Sequence, residues 1–287
     1  MGKSGAGSIP RHGQRPMKRT IEKLKHRRYR HPSGPPSPRW LPYALVTINL
    51  ILIAFFLLDA PVGSYAAHTP NVLLPVGKAI TDFGTSGWIL FATALLFFEA
   101  LAVIRLAPGL KARFQAMLVS HVAAYIFVAV AGSGLLANLV KRIIGRARPG
   151  LYEQWGFHGF SPFSGSRFES FPSGHATTVG AFLMALALLA PRYRLFFLII
   201  SFWLGFSRVI VGAHYPSDVI AGLSFGAWFS VIMAIVFSRY GLLFRQEPDG
   251  WPVLRRAIPL LIRPDWKNTP FPPRGMPPKR ETDVKQQ

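Results

Sequence analysis

The 287 residues are half hydrophobic, with a mean hydropathy of +0.29, yet they carry 33 Lys and Arg against 12 Asp and Glu, a formal net charge of +21. Together these values exclude an ordinary soluble globule and fit a lipid-embedded centre flanked by solvated basic ends, because long apolar runs must be kept dry. Cysteine is absent, which excludes a disulfide framework and a thiolate metal site. The basic residues fall in two tails and in short loops, with no zinc-finger or RNP-type pattern beside them, so the expected partner is anionic lipid headgroups and not nucleic acid.

Residues 1–40 combine Lys18, Arg19, Lys23, Lys25, Arg27, Arg28 and Arg30 with Pro32, Pro35, Pro36 and Pro38, too little apolar content for a core, and read as a disordered basic cytoplasmic tail. Thr20 to Tyr29 has two readings, a basic helix lying on anionic lipid or a solvated charge run. No signal peptide is expected, since this tail is far longer than a usual n-region. Apolar runs follow at 41–59, 87–106, 115–140, 176–190, 195–213 and 219–238, most near the roughly 20 residues a crossing needs. They predict an all-α polytopic membrane protein, a bundle of six transmembrane helices over 41–240. The segment 61–86, with Pro61, Pro70, Pro75 and Gly84, is expected to be a loop with room for short interfacial helices.

Within the runs, Glu99 is an intramembrane ionisable group that either pairs with Arg105, sits protonated between helices, or serves function. His121 and Asn138 read as interhelical hydrogen bonders, and Gly132 with Gly134 as a site of close packing. The tail 241–287 carries nine prolines between Pro248 and Pro278 among mixed charges and is expected to be basic, cytoplasmic and largely irregular. Trp251 to Ile262 could lie along a leaflet as an amphipathic piece.

Lys and Arg asymmetry sets the orientation. With six crossings, the N-terminal tail, the turns carrying Arg105, Lys111 and Arg113 and then Arg192 and Arg194, and the C-terminal tail all fall on one side. Both termini are therefore expected in the cytoplasm, in a multi-pass plasma (inner) membrane protein. Against that bias, Lys141, Arg142, Arg146 and Arg148 cluster at the outer end of the third helix. A bound phosphate would explain the exception.

Three stretches at that outer face carry the chemistry: Lys141 to Pro149, Pro172 to His175 and Ser207 to Asp218. Lys141, Arg148 and Arg208 supply fixed cations for phosphate oxygens, the Arg side chains through paired hydrogen bonds. Ser173 is placed to cap the fourth helix, Gly174 lets an anion approach the main chain, and His175 follows in the first turn, within reach of a leaving-group oxygen. His214 and Asp218 are four apart with Pro216 between them, suited to one face of a helix start. A carboxylate that orients a histidine makes its other ring nitrogen a nucleophile.

These stretches, in this order, resemble the type 2 phosphatidic acid phosphatase (PAP2) superfamily of membrane lipid-phosphate phosphatases. The resemblance implies a phosphohistidine on His214 oriented by Asp218, with His175 protonating the departing alkoxide and later activating water. It implies that Lys141, Arg148, Arg208, Ser173 and Gly174 hold the phosphoryl group, and that no metal or other cofactor is required. The expected activity is removal of phosphate or pyrophosphate from a lipid headgroup at the outer leaflet, with the site periplasmic or extracellular. Phosphatidylglycerol phosphate, undecaprenyl pyrophosphate, phosphatidic acid and lipid A phosphates all stay open as substrates. Two alternatives remain: a lipid phosphotransferase using the same pocket, and a non-catalytic phospholipid-binding scaffold. Vanadium-dependent haloperoxidases have a similar pocket but are soluble, and the apolar runs argue against one. The loop 150–171, with Tyr152, Trp155, Phe157, Phe160, Phe163 and Phe168, is expected to shield the pocket and touch lipid chains. Oligomeric state is not legible.

Overall fold

The computed structural model describes residues 38–68, 75, 77, 81 and 84–255. The readings made for 1–37 and 256–287 lie outside the described residues, as does most of 69–83. The helices are α1 (Trp40–Ile53), α2 (Asp59–His68), α3 (Ser86–Leu106), α4 (Leu110–Ile144), α5 (Tyr152–Trp155), α6 (Gly174–Leu189), α7 (Arg194–Ile210) and α8 (Pro216–Arg239). Among the described residues, five helical stretches are long and apolar enough to cross a bilayer: Trp40–Tyr65, Ser86–Leu106, Leu110–Ile144, Pro191–Ile210 and Pro216–Arg239. The sixth, α6, has 16 residues, about 24 Å at 1.5 Å per residue and short of the roughly 30 Å hydrocarbon core. Its length is not set by lipid, because eleven of its residues are buried by protein. It packs against α4, α7 and α8 as the central helix of the all-α bundle.

Small residues let these backbones approach, as membrane helix interfaces require. A Cβ on Gly180 would lie 2.2 Å from the Leu223 carbonyl oxygen, and one on Gly226 would lie 2.1 Å from that of Thr177. Ser230 Oγ then donates to the Ala181 carbonyl across the same seam at 2.6 Å. The outcome is a fixed register of α6 on α8, in which the Ser173 amide donates to the Asp218 carbonyl at 3.0 Å. Gly132 likewise seats Phe229 against α4, whereas Gly134 faces open space.

The expected loop from 61 begins late. The first run continues as helix to His68 through a π-type turn at Ala54–Leu58. Pro61 has no N–H to give and would break a regular ladder, but it falls in the first turn after that irregularity, where the loss is tolerated. The expectation of an irregular tail from 241 also fails locally. Phe244–Gln246 pairs antiparallel with Pro252–Leu254, and Phe244 is fully buried with its ring 4.8 Å from that of Tyr125. Trp251 packs on Tyr43 and Trp40 at 5.3 and 6.3 Å. The compact unit includes this hairpin, up to Arg255. Glu99 is exposed on α3 and forms no ion pair with Arg105 among the described residues. Asn138 is exposed and His121 half-buried on α4.

Candidate active site

The segment after α4 builds the floor of the site. Gly145, at φ +63, ends α4 in the left-handed conformation that glycine adopts without strain, and a Cβ there would lie 2.3 Å from the Ser161 carbonyl oxygen. The chain then runs extended between the two arms of the loop. The Ala147 amide donates to Gly159 O at 2.8 Å, the Arg148 amide to Arg167 O at 3.0 Å, and the Ser170 amide to Arg146 O at 3.0 Å. This ladder fixes the main chain on either side of Ala147, and the two arginines it carries, Arg146 and Arg148, end in different surroundings.

Arg146 points inward. It is 1% exposed, and all five of its N–H groups are taken: Nη1 by Ser217 Oγ (2.7 Å) and Asp218 Oδ1 (2.5 Å), Nη2 by Asp59 Oδ2 (2.7 Å) and the Phe157 carbonyl (2.9 Å), Nε by that carbonyl at 3.2 Å. The Phe55 and Tyr215 rings lie 5.0 and 4.4 Å from its Cζ. Arg146 has nothing left to offer a substrate.

Arg148 differs from it, because its Nε is buried with no hydrogen-bond partner among the described residues. Such an atom asks for an anion. Lys141 reaches the head of α6: its Nζ is 3.9 Å from the position a Cβ on Gly174 would take, and 3.4 Å from Glu169 Oε2. Arg208, in the last turn of α7, donates from Nη1 to Thr81 Oγ1 at 2.6 Å. At the head of α6, Ser173 Oγ accepts from the Ala176 amide at 3.4 Å, the cap expected of it. Its own amide is used by Asp218, so the helix-end donor next to Lys141 is the amide of Gly174. His175 stands half-buried in the first turn of α6, its Cδ2 3.7 Å from the Cβ position of Gly84.

His214 and Asp218 are also brought to this end, in a different arrangement from a shared helical face. The helix begins at Pro216, so His214 lies outside it, and its Nδ1 is 2.9 Å from the Ser170 carbonyl and 3.8 Å from Asp218 Oδ2. The direct orienting bond is thus to Ser170 O. A carbonyl only accepts, so Nδ1 carries the proton and Nε2 keeps its lone pair. Asp218 is held as a charged acceptor behind the ring. Its Oδ2 takes the Ser170 hydroxyl at 2.6 Å and the Tyr215 amide at 3.0 Å, and Oδ1 takes Arg146. Burial pushes the His214 pKa below its ordinary value; the Asp218 carboxylate pulls it up, and the Arg148 and Arg208 guanidinium groups push it down again. The neutral imidazole that a nucleophile needs is the favoured form.

Arg146, Asp59 and Ser170 are the residues that the motifs did not reveal as part of this network. Asp59 was legible in principle, as a carboxylate closing an otherwise uncharged apolar run. Ser170 carried no signal, since a serine shortly before a capping serine is ordinary loop composition.

The sequence model of the PAP2 superfamily matches residues 122–241, which contain all three chemical stretches. Lipid A 1-phosphatase of Rhizobium johnstonii is 52% identical over 226 residues, 78% of this chain and 92% of that protein. The chain belongs to the PAP2 superfamily. Lipid A 1-phosphatase of Rhizobium etli is 51% identical over 80% of this chain and 98% of that one. Undecaprenyl-diphosphatase of Sulfolobus acidocaldarius is 44% identical over 64 residues, 22% of this chain and 31% of its own. Among solved structures, a phosphatidylglycerolphosphate phosphatase from Bacillus subtilis aligns with a TM-score of 0.45 at 20% identity, covering 66% of this chain and 92% of that one. As a PAP2 member with this many apolar helices, the chain is a multi-pass membrane phosphatase that hydrolyses phosphate esters of lipids.

Proposed function

We propose that this PAP2 phosphatase removes the 1-phosphate of lipid A or a closely similar phosphorylated saccharolipid, through a phosphohistidine on His214 and without a metal. One geometric observation carries the mechanism: His214 Nδ1 is tied to the Ser170 carbonyl, which leaves the Nε2 lone pair directed away from Asp218. The two Rhizobium relatives, similar over nearly their whole length, support the substrate. A hollow of about 170 Å³ beside Lys141, lined by Arg142, Phe163, Ser164, Gly165, Phe168 and Glu169, supplies aromatic faces and polar groups of the kind a sugar headgroup uses.

Nε2 of His214 attacks phosphorus while the bond from phosphorus to the lipid oxygen breaks, and that oxygen takes a proton from His175. Water, giving its proton back to His175, then attacks phosphorus; the P–N bond breaks, its electrons return to Nε2, and inorganic phosphate leaves. Arg148, Arg208, Lys141 and the Gly174 amide hold the charge that spreads over the non-bridging oxygens, and Ser173 fixes the helix start that presents this amide. The Lys and Arg bias of the loops supports an outward-facing site with both termini in the cytoplasm. The basic cluster that defies the bias is largely absorbed by the protein itself, Arg146 in its buried network and Lys141 beside Glu169. Exposed Trp155, Phe160 and Phe163 fringe the opening and suit contact with lipid chains.

Purified protein in detergent with chelator, offered lipid A, undecaprenyl pyrophosphate, phosphatidic acid and phosphatidylglycerol phosphate in parallel, is expected to release phosphate fastest from lipid A and to leave its 4′-phosphate in place. Faster turnover of a prenyl pyrophosphate would overturn the substrate, and activity that disappears with chelator would overturn the metal-free mechanism.

A further inference from the structure

We infer that Asp59 and Arg146 are positioning residues of the hydrolytic centre, with Asp59 sharing the Arg146 guanidinium so that Asp218 keeps a net negative charge to offer His214. The inference rests on His214 being the nucleophile.

Asp59, Arg146 and Asp218 are each 0 or 1% exposed, and they come from the outer end of the first span, the segment after α4 and the first turn of α8. Both carboxylates are surrounded by donors alone. Asp59 Oδ1 accepts from the Ser217 amide at 3.0 Å, and Oδ2 accepts from Arg146 and from the Ser217 hydroxyl. Asp218 accepts from Arg146, the Ser170 hydroxyl and the Tyr215 amide. Ser217 receives Arg146 Nη1 on its oxygen and passes its own hydrogen to Asp59. Both oxygens of each carboxyl group accept from a partner that can only donate, Arg146 on one and a main-chain amide on the other, and both groups are assigned the ionised form.

The charges of the trio are then two negative and one positive, a net of one negative. That charge matters when the His214 ring becomes positive as Nε2 bonds to phosphorus. If Asp59 were absent, Arg146 would neutralise Asp218 alone, and the developing imidazolium would face a neutral pair. It would also face the cations around it: Arg148 on the segment after α4, Arg208 on α7 and, further out, Lys141 with its partner Glu169. His175 heads α6, and the phenols of Tyr215 and Tyr152 lie on the Asp59 side, packed around Gly63. None of these supplies the missing negative charge at neutral pH.

The test compares the wild type, Asp59→Asn, Arg146→Gln and the double variant in the pH dependence of kcat/KM, with His214→Ala as a control. The Asn and Gln replacements are close in size, and the double variant restores a net of one negative. Asp59→Asn is expected to lower kcat at least about tenfold with KM little changed, since Asp59 does not reach the pocket, and to move the acid limb about one pH unit lower. Arg146→Gln is expected to move that limb higher, and the double variant to bring it back toward the wild-type position. The substrate's own ionisation is common to all four and cancels. An acid limb at the same pH in Asp59→Asn and wild type, with kcat preserved, overturns the inference, as does a double variant whose limb follows Asp59→Asn. If Arg146→Gln fails to fold, Asp59→Asn alone still decides. Activity surviving in His214→Ala would instead overturn the nucleophile assignment.

Discussion

Replacing His214 by Ala is expected to reduce kcat for lipid phosphate hydrolysis by a factor on the order of 10⁴ or more, with the protein still folded and extracted as the wild type is. The side chain lies in the short turn between α7 and α8, at the head of the bundle and not in its packed seam, so truncation should spare the fold. In the proposed mechanism, what disappears is the atom that bonds to phosphorus. Loss of a nucleophile leaves only the binding and charge-stabilising groups, which is why the residual rate stays above the uncatalysed one yet far below the native rate. The same residue sets a pH signature. Its pKa is lowered, mainly by burial, so the protonated and inactive form takes over only below the usual histidine value of about 6.5, and the acid limb assigned to it should lie under that value. Release measured between pH 4 and 8, with wild type and variant matched for detergent and protein, checks both statements.

Arg148→Lys is expected to cost a factor on the order of 10² to 10³ in kcat/KM, although charge is conserved. The main chain at Arg148 is fixed by the hydrogen bond from its amide to Arg167 O, and the Nε is already desolvated without a partner among the described residues. In the proposed mechanism the guanidinium meets phosphate in a prepared orientation, with two parallel donors. An ammonium at the end of a flexible stem brings one point of charge and must order itself at each turnover. Titration of orthovanadate inhibition alongside the kinetics separates the terms: a Lys variant should bind the oxyanion more weakly while Asp59→Asn should not. Equal vanadate affinity in Arg148→Lys and wild type would mean that Arg148 does not touch the phosphoryl group.

The apolar runs made the membrane bundle legible because hydrocarbon leaves little freedom: a run of about 20 apolar residues must be a buried or lipid-facing helix. Where the length rule did not govern, boundaries moved. Run 41–59 gained residues to His68 because a π-type turn lets Pro61 stay helical, and no sequence pattern announces that turn. The hairpin after α8 was hidden by its prolines, yet Pro252 stands at the start of its strand, where a missing N–H is tolerated, and Phe244 anchors it on Tyr125.

The chemistry-bearing residues were legible by type, and the structure gathers Lys141, Arg148, Ser173, Gly174, His175, Arg208, His214 and Asp218 at one end of the bundle. Their second layer was not. Within one basic run, Arg146 and Arg148 are two residues apart and look alike, but Arg146 ends in a ring of buried acceptors and Arg148 keeps a buried Nε with no partner among the described residues. Nor does the His-x3-Asp spacing show that helix α8 starts between the two residues, so that a loop carbonyl from Ser170 takes the ring proton. Spacing reports which groups can meet; donors and acceptors from distant loops decide how.

The most direct test of the central assignment is chemical trapping of the phosphoryl group. Wild type and His214→Ala are mixed with substrate labelled at the scissile phosphate, quenched within milliseconds in denaturant, and the protein-bound label is divided between acid and alkali. Label on the wild type that survives alkali and is lost in acid, mapped to the peptide containing His214 and missing from the variant, is the expected result. Full hydrolytic activity with no protein-bound label at any quench time, or equal label on both proteins, would contradict it.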